Sequence, residues 1–264
     1  MDLNLNDKKA LVSGSTAGIG YAIASLLAQE GAEVVVNGRT EERVASAIKQ
    51  ISKEVPNAKL TGVAADLGTV AGAEALFAKV PEVDILVNNL GIYQVKDFAD
   101  TTDEDWQHIL EVNVLSGIRL SRQYLGKMLA NNWGRIIFIS SESGVNIPVE
   151  MIHYGVTKTA QIALARGLAE TTAGTGVTVN SVLPGPTRSE GIKGFVKGAA
   201  QAQGVDEAQI EKDFFKTLRP SSLIKRFATS EEVASLVAYI ASPLSAATNG
   251  AALRVEGGLL RSIV

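Results

Sequence analysis

Short runs of apolar, mostly β-branched residues recur along the chain, and most are followed by a segment with apolar residues at helical spacing. This alternation restricts the fold more than any other feature. Ala10-Leu11-Val12, Val34-Val35-Val36, Leu60 to Ala65, Ile85-Leu86-Val87, Ile136 to Ile139, Val177 to Val182 and Ala251 to Val255 read as strands. Ile19 to Glu30, Glu41 to Lys53, Ala71 to Val80, Thr102 to about Asn131 and Ile152 to Ala173 read as helices. Gly31 suits the position just past a helix end, and Asp103, Glu104 and Asp105 suit a first turn. Strands that are short and apolar throughout are buried on both faces, as in parallel sheets covered by helices. Right-handed crossovers then give an α/β, doubly wound, Rossmann-type sheet of about seven parallel strands with helices on both faces. The expected organisation is a single domain over residues 1–264. The least regular stretch, 185–229, is expected to hold a lid over a site.

Composition narrows the function classes. The formal net charge is −3 and no basic cluster is present, which argues against nucleic acid as a partner. There is no cysteine, so disulfides and thiolate chemistry are excluded. No apolar run approaches the roughly 18 residues of a membrane span, and the polar start lacks the signature of a signal peptide. A cytosolic location with no membrane partner is expected. Of the two histidines, His108 and His153, each is expected to be solvated or packed, and no metal site is expected. A hydrolase elbow of the form G-x-S-x-G is absent.

The first strand runs into Gly14-Ser15-Thr16-Ala17-Gly18-Ile19-Gly20, which opens a helix. Strand, glycine turn and helix together bind a pyrophosphate: the helix offers free N–H groups, and glycine lets the backbone approach. Ser15 and Thr16 are expected to add hydroxyl donors. The alternative is a tight turn without a ligand. Where the second strand ends, dinucleotide folds usually place an acid for the ribose hydroxyls, but here Gly38 and Arg39 follow Asn37. Arginine pairs with a 2′-phosphate that an acid would repel, so NADP(H) is expected over NAD(H). The alternative for Arg39 is an exposed loop cation. Asp66, with Leu67, ends the third strand; its carboxylate is read as an acceptor for the adenine amine or as a cap for the next helix.

Tyr154 and Lys158 stand at i and i+4, on one helix face. An ammonium beside a phenol favours the phenolate; lowering a tyrosine by about 3 pKa units corresponds to roughly 4 kcal/mol. Such a tyrosine serves as general acid in carbonyl reduction and base in the reverse direction. Taken alone, the pair also fits a lysine stem packed over a ring. Ser141 follows the fifth strand, where ligands of parallel sheets gather, and is read as a donor to a substrate oxygen or as a turn residue. Asn113, flanked by Val112 and Val114, is a buried polar group that needs partners, and helix–helix bonding is its alternative.

With these residues in order, the chain resembles the short-chain dehydrogenase/reductase family, of the common one-domain type, from about Leu5 to Gly258. The resemblance rests on Gly14 to Gly20, Asn88-Asn89-Leu90-Gly91, Asn113, Ser141, Tyr154 with Lys158 thirteen and seventeen residues after it, and Pro184-Gly185. It implies that Tyr154 exchanges the proton, Lys158 lowers its pKa and bonds the nicotinamide ribose, and Ser141 polarises the carbonyl. It implies further that Asn113 holds a water linking Lys158 to solvent. Asn88, Gly91, Pro184, Gly185 and Thr187 are implied to line the cofactor, and the chain to form a homo-oligomer, commonly a tetramer. Leu90 and Glu256 depart from the family's alanine and aspartate, and the larger Leu90 is expected to alter local backbone or cofactor packing.

The expected activity is carbonyl–alcohol interconversion on a small molecule with NADP(H), and a 3-oxoacyl thioester leads among the substrates. Ile147, Pro148, Val149, Met151 and Phe195 suggest a partly apolar pocket. A non-catalytic dinucleotide sensor or a structural subunit on the same fold are the alternatives; a sensor would keep the glycine turn without Ser141, Tyr154 and Lys158.

Overall fold

Successive residues of each inner strand bury on opposite faces of one sheet. In the computed structural model, which describes residues 2–263, Ala10 and Val12 pack to one side of the sheet and Leu11 to the other. The strands are β1 (Lys9–Val12), β2 (Glu33–Gly38), β3 (Leu60–Ala64), β4 (Ile85–Asn88), β5 (Gly134–Ile139), β6 (Val177–Pro184) and β7 (Ala252–Val255). All pair in parallel in the order β3-β2-β1-β4-β5-β6-β7. The direction of winding reverses between β1 and β4, so a crevice opens beyond their C-terminal ends.

The helices are α1 (Gly18–Gln29), α2 (Glu41–Glu54), α3 (Val70–Lys79), α4 (Asp103–Leu110), α5 (Ser116–Ala130), α6 (Ile152–Thr171), α7 (Glu190–Gln203), α8 (Glu207–Thr217) and α9 (Ser230–Ala241). Ile23 and Leu27 of α1, Ile51 of α2 and Val237 of α9 close one face of the sheet. Leu76 of α3, Tyr124 of α5 and Ala165 of α6 close the other. Each of these side chains is almost fully buried, which stabilises by about 1.5–3 kcal/mol for each large aliphatic one. No helix among the described residues is long and apolar enough to cross a membrane.

One expectation changes in detail. The helix expected to run unbroken from Thr102 to Asn131 is interrupted by a π turn at Glu111–Leu115, with Asn113 buried at its centre. A π turn widens the helix by one residue and re-aims the side chains on it. The stretch 185–229 contains two helices with a small core of their own. Val196, Ala200, Ile210, Phe215 and Phe227 are buried together, and Phe214, Phe215 and Phe227 stack pairwise with ring centroids 5.0–5.1 Å apart. The side chain of Phe195 lies outside the described residues.

Candidate active site

The turn after β1 leaves the head of α1 open. Side chains cap six of the other helices: Thr40 at α2, Thr69 at α3, Thr102 at α4, Ser189 at α7, Asp206 at α8 and Thr229 at α9. The residue before α1, Ala17, has no side-chain cap to offer, and the first turn of α1 holds no acid. The N–H groups at Gly18, Ile19 and Gly20 thus keep their positive end free for an anion. A Cβ at Gly20 would collide with Gly14 O and Asn89 Nδ2, so the helix starts this close to the turn only with glycine there. An uncapped helix head behind a cradle that a side chain would fill fits a dinucleotide pyrophosphate.

Buried side chains hold the turn from below. Asn37 Oδ1 accepts from Gly14 N at 3.1 Å, and its Nδ2 donates to Val63 O and Ala65 O, both at 3.1 Å. Asn89 Nδ2 donates to Ser13 O at 2.9 Å and Gly14 O at 3.0 Å. The Ser15 hydroxyl faces inward rather than toward a ligand, donating to Val12 O at 2.7 Å and accepting from Asn37 N at 2.9 Å. Thr16 is half-buried and abuts Gly38, where a Cβ would run into Thr16 Cγ2. Gly38 therefore does more than lack an acid: no side chain fits there while Thr16 keeps its place.

Arg39 is exposed and has no ion pair among the described residues. Asp66 is exposed as well, and its Oδ1 accepts from Gly68 N at 3.0 Å. The α3 cap is Thr69, so the capping alternative for Asp66 is set aside. The Leu67 side chain belongs to the core, which leaves its backbone as the part that can line a cleft. The Asn88 side chain is also turned inward, donating to Ser121 Oγ at 3.2 Å. Leu90 is accommodated: its N–H donates to Ser13 Oγ at 3.0 Å and its side chain packs on the core cluster below.

Asn113, Ser141, Tyr154 and Lys158 come together beyond the ends of β4 and β5. Asn113 Oδ1 accepts from Ile92 N at 2.8 Å, and its Nδ2 donates to Ile92 O at 2.9 Å and Thr157 Oγ1 at 3.0 Å. These bonds tie the loop after β4 to α6. Lys158 is buried, and its Nζ donates to Ile139 O at 2.9 Å and Gln161 Oε1 at 3.1 Å. A Cβ at Gly91 would stand 3.3 Å from Lys158 Nζ, so this glycine borders the amine. Burial holds the Lys158 amine down at about 7. The Tyr154 ring centroid lies 5.6 Å from Lys158 Nζ.

The electrostatics differ from the expectation of a lysine lowering the tyrosine. Burial pushes the Tyr154 phenol up to about 12, the hydrogen bond with Ser141 draws it down, and Glu142 and Tyr93 push it further up. A group in low dielectric resists charge of either sign, and here the lysine is buried and the tyrosine half-buried. The protein alone thus holds a neutral phenol beside an amine whose charged form burial disfavours.

Ser141 is a turn residue in the structure. Its Oγ accepts from Ser143 N at 3.1 Å, which caps the short turn Glu142–Gly144, and it also hydrogen-bonds Tyr154. Glu142 is buried, and its Oε1 lies 3.4 Å from Arg219 Nε while Oε2 has no hydrogen-bond partner. Arg219 Nη1 also reaches Glu150 Oε1 at 3.2 Å. One guanidinium just beyond α8 thereby joins the two loops that flank Tyr154. Tyr93 sets its ring edge-on to Tyr154, with centroids 6.2 Å apart.

Pro184 ends β6, and Gly185 faces Glu256 O, which a Cβ at residue 185 would meet at 2.7 Å. Thr187 Oγ1 donates to Gly185 O at 2.9 Å. Glu256 is buried and accepts from Leu259 N and Leu260 N, holding the C-terminal loop. His153 is packed rather than solvated, with its ring 6.0 Å from that of Trp106. No group of side chains that would hold a metal occurs among the described residues.

A family model for the short chain dehydrogenases matches residues 8–199. The chain belongs to the short-chain dehydrogenase/reductase family. Among the relatives of this short-chain dehydrogenase, the uncharacterized oxidoreductase YvrD of Bacillus subtilis is 53% identical, with 100% of both chains covered. The 3-oxoacyl-(acyl-carrier-protein) reductase of Aquifex aeolicus is 34% identical, over 98% of this chain and 100% of the relative. The crystal structure of L-sorbose reductase from Gluconobacter frateurii, complexed with NADPH and L-sorbose, superimposes with a TM-score of 0.93 at 29% identity, covering 100% of both chains.

Several residues that shape this short-chain dehydrogenase site carried no expectation. Asn37 is legible in hindsight as the amide that interrupts an apolar strand, and Gln161 as a polar residue on the face of Tyr154 and Lys158. Arg219 had no such signal, because its partners lie 77 and 69 residues away in sequence.

Proposed function

We propose that the chain is an NADP(H)-dependent oxidoreductase that interconverts a carbonyl and an alcohol, with Tyr154 as general acid and base. The observation that carries this is the convergence of Ser141, Tyr154 and Lys158 beyond the C-terminal ends of the strands, at the same end of the sheet as the uncapped head of α1. Gly14, Ser15, Thr16, Gly18, Ile19 and Gly20 form the cradle of the pyrophosphate, which the free N–H groups at Gly18, Ile19 and Gly20 face. Arg39 meets the 2′-phosphate, and Asp66 and Leu67 border the adenine. Asn88, Gly91, Pro184, Gly185 and Thr187 shape the rest of the cleft. When bound, the nicotinamide supplies or accepts the hydride.

The chain's own residues handle the proton. In the reducing direction, the Ser141 and Tyr154 hydroxyls hold the carbonyl oxygen, and the Tyr154 proton passes to it as negative charge develops. Lys158 then stands beside the phenolate left behind and stabilises it as ammonium. Asn113 keeps the loop after β4 and α6 in register around this centre.

The whole of residues 1–264 is proposed as one catalytic domain, with 185–229 as its lid and Arg219 fastening it. A homotetramer in the cytosol is the proposed working form, which light scattering of the purified protein checks. The proposed substrate is a ketone on an acyl chain, a 3-oxoacyl thioester first, entering past the exposed apolar residues Val95, Ile147 and Val149. A keto-sugar is the second reading, favoured by the likeness to the L-sorbose reductase structure.

The test is a substrate panel followed by NADPH absorbance in both directions, with 3-oxoacyl thioesters and keto-sugars in parallel. Turnover that disappears in Tyr154→Phe supports the proposal. Tight NADPH binding with no turnover across a broad carbonyl panel would favour the sensor instead.

A further inference from the structure

The resemblance assigns a water to the space between Lys158 and Asn113, but in this chain a side chain spans it. Gln161 is fully buried on α6, one turn beyond Lys158. Its Oε1 accepts from Lys158 Nζ at 3.1 Å and its Nε2 donates to the backbone O of Asn113 at 2.6 Å. We propose that Gln161 is a positioning residue of the proton-transfer centre: its amide clamps Lys158 to the Asn113 carbonyl and makes the lysine exchange its proton on the face toward Tyr154.

The geometry supports this in two steps. Lys158 Nζ has two fixed acceptors, Ile139 O and Gln161 Oε1. A neutral amine spends both N–H bonds on them and leaves its lone pair at the third position. An ammonium places its third N–H at that same position. The proton therefore comes and goes at one place, the single position on Nζ that neither acceptor takes, and the Tyr154 ring centroid is 5.6 Å from that nitrogen.

The second step concerns the opposite side. A water between Lys158 and Asn113 O would pass a proton by exchanging its own. An amide passes one only by becoming an imidic acid, and the Asn113 carbonyl it faces has no proton to return. Gln161 thus holds Lys158 while closing that route. Asn113 and β5 contribute only amide and carbonyl groups to this side, while the titratable groups facing the centre are Tyr154 on α6, Glu142 after β5 and Tyr93 after β4.

The role assigned to Lys158 rests on the proposed function, so the test reads Lys158 and Gln161 directly in the cofactor-free protein. The Lys158 side-chain resonance, assigned by its loss in Lys158→Met, is followed against pH by NMR. Removing an acceptor destabilises the ammonium, so Gln161→Leu is expected to move the Lys158 midpoint down by about half a pH unit or more. A carboxylate in its place favours the ammonium, so Gln161→Glu is expected to move it up by about one unit. The parent protein gives a reading that needs no variant: the Gln161 side-chain amide is expected to exchange slowly with solvent and to shift along the Lys158 titration. A midpoint common to all three proteins, or a Gln161 amide that exchanges like an exposed one, overturns the proposal. Absence of turnover on every carbonyl with these NMR signatures intact overturns the proposed function instead.

Discussion

Asn37 Oδ1 accepts the Gly14 N–H at 3.1 Å, so the end of β2 holds the turn that follows β1. The same amide donates to Val63 O and Ala65 O where β3 ends. Asn37→Ala strands three polar groups in a buried place. An unsatisfied buried group costs about 1–3 kcal/mol, so a stability loss of about 3 kcal/mol is expected by urea unfolding, with weaker NADPH binding by titration. A loss indistinguishable from zero would mean that the turn holds itself.

Arg39 is the cation next to Gly38, where any side chain would have to displace Thr16. Charge-assisted pairing with a 2′-phosphate is expected to favour NADPH over NADH in kcat/KM. In Arg39→Ala that ratio is expected to fall about tenfold or more, which corresponds to about 1.4 kcal/mol. Parallel initial rates with the two cofactors check it, and an unchanged ratio would remove Arg39 from cofactor selection.

Tyr154→Phe removes one hydroxyl and keeps the ring beside Tyr93. General acid–base catalysis contributes about 100-fold or more, so kcat is expected to drop at least that far. NADPH affinity, measured by fluorescence titration, is expected to stay unchanged. Activity near the parental level would show that another group supplies the proton.

The sheet and most helices were legible because their signals are local. Apolar runs such as Val34-Val35-Val36 and the acidic first turn at Asp103 each announce an element within a few residues. The π turn at Glu111–Leu115 was not legible, since it depends on Asn113 finding partners in Ile92 and Thr157 on other elements. The residues of the proton centre could be picked out by spacing and family resemblance, but their electrostatics could not. Placing Tyr154 and Lys158 four residues apart says that they share a face. It does not say how far each is withdrawn from water, and that desolvation is what moves the phenol up and the amine down. Ser15 and Leu67 teach the same lesson, because one turns its hydroxyl to Val12 O and the other joins the core, neither of which spacing reveals.

Arg219 joins the proposed lid to Glu142 and Glu150, and its loss is expected to show in the pH dependence of stability. Burial already raises the Glu142 carboxyl above its usual value, and the Arg219 guanidinium is the largest influence drawing it back. Without Arg219, Glu142 keeps its proton to still higher pH in the folded state. The folded protein then binds more protons than the unfolded chain above the ordinary glutamate range, so stability falls as pH rises. Breaking a buried pair by removing one partner costs about 3 kcal/mol or more, and most of that loss is expected above about pH 6. Below about pH 4.5 Glu142 is protonated in both states and the deficit of Arg219→Ala is expected to shrink. Adding Glu142→Gln to Arg219→Ala should flatten this slope, because the amide carries no charge to bury. A deficit in Arg219→Ala that stays constant from about pH 4 to pH 8 would show that Glu142 does not sense the arginine, and that its contacts with Glu150 and Phe214 carry the loss instead.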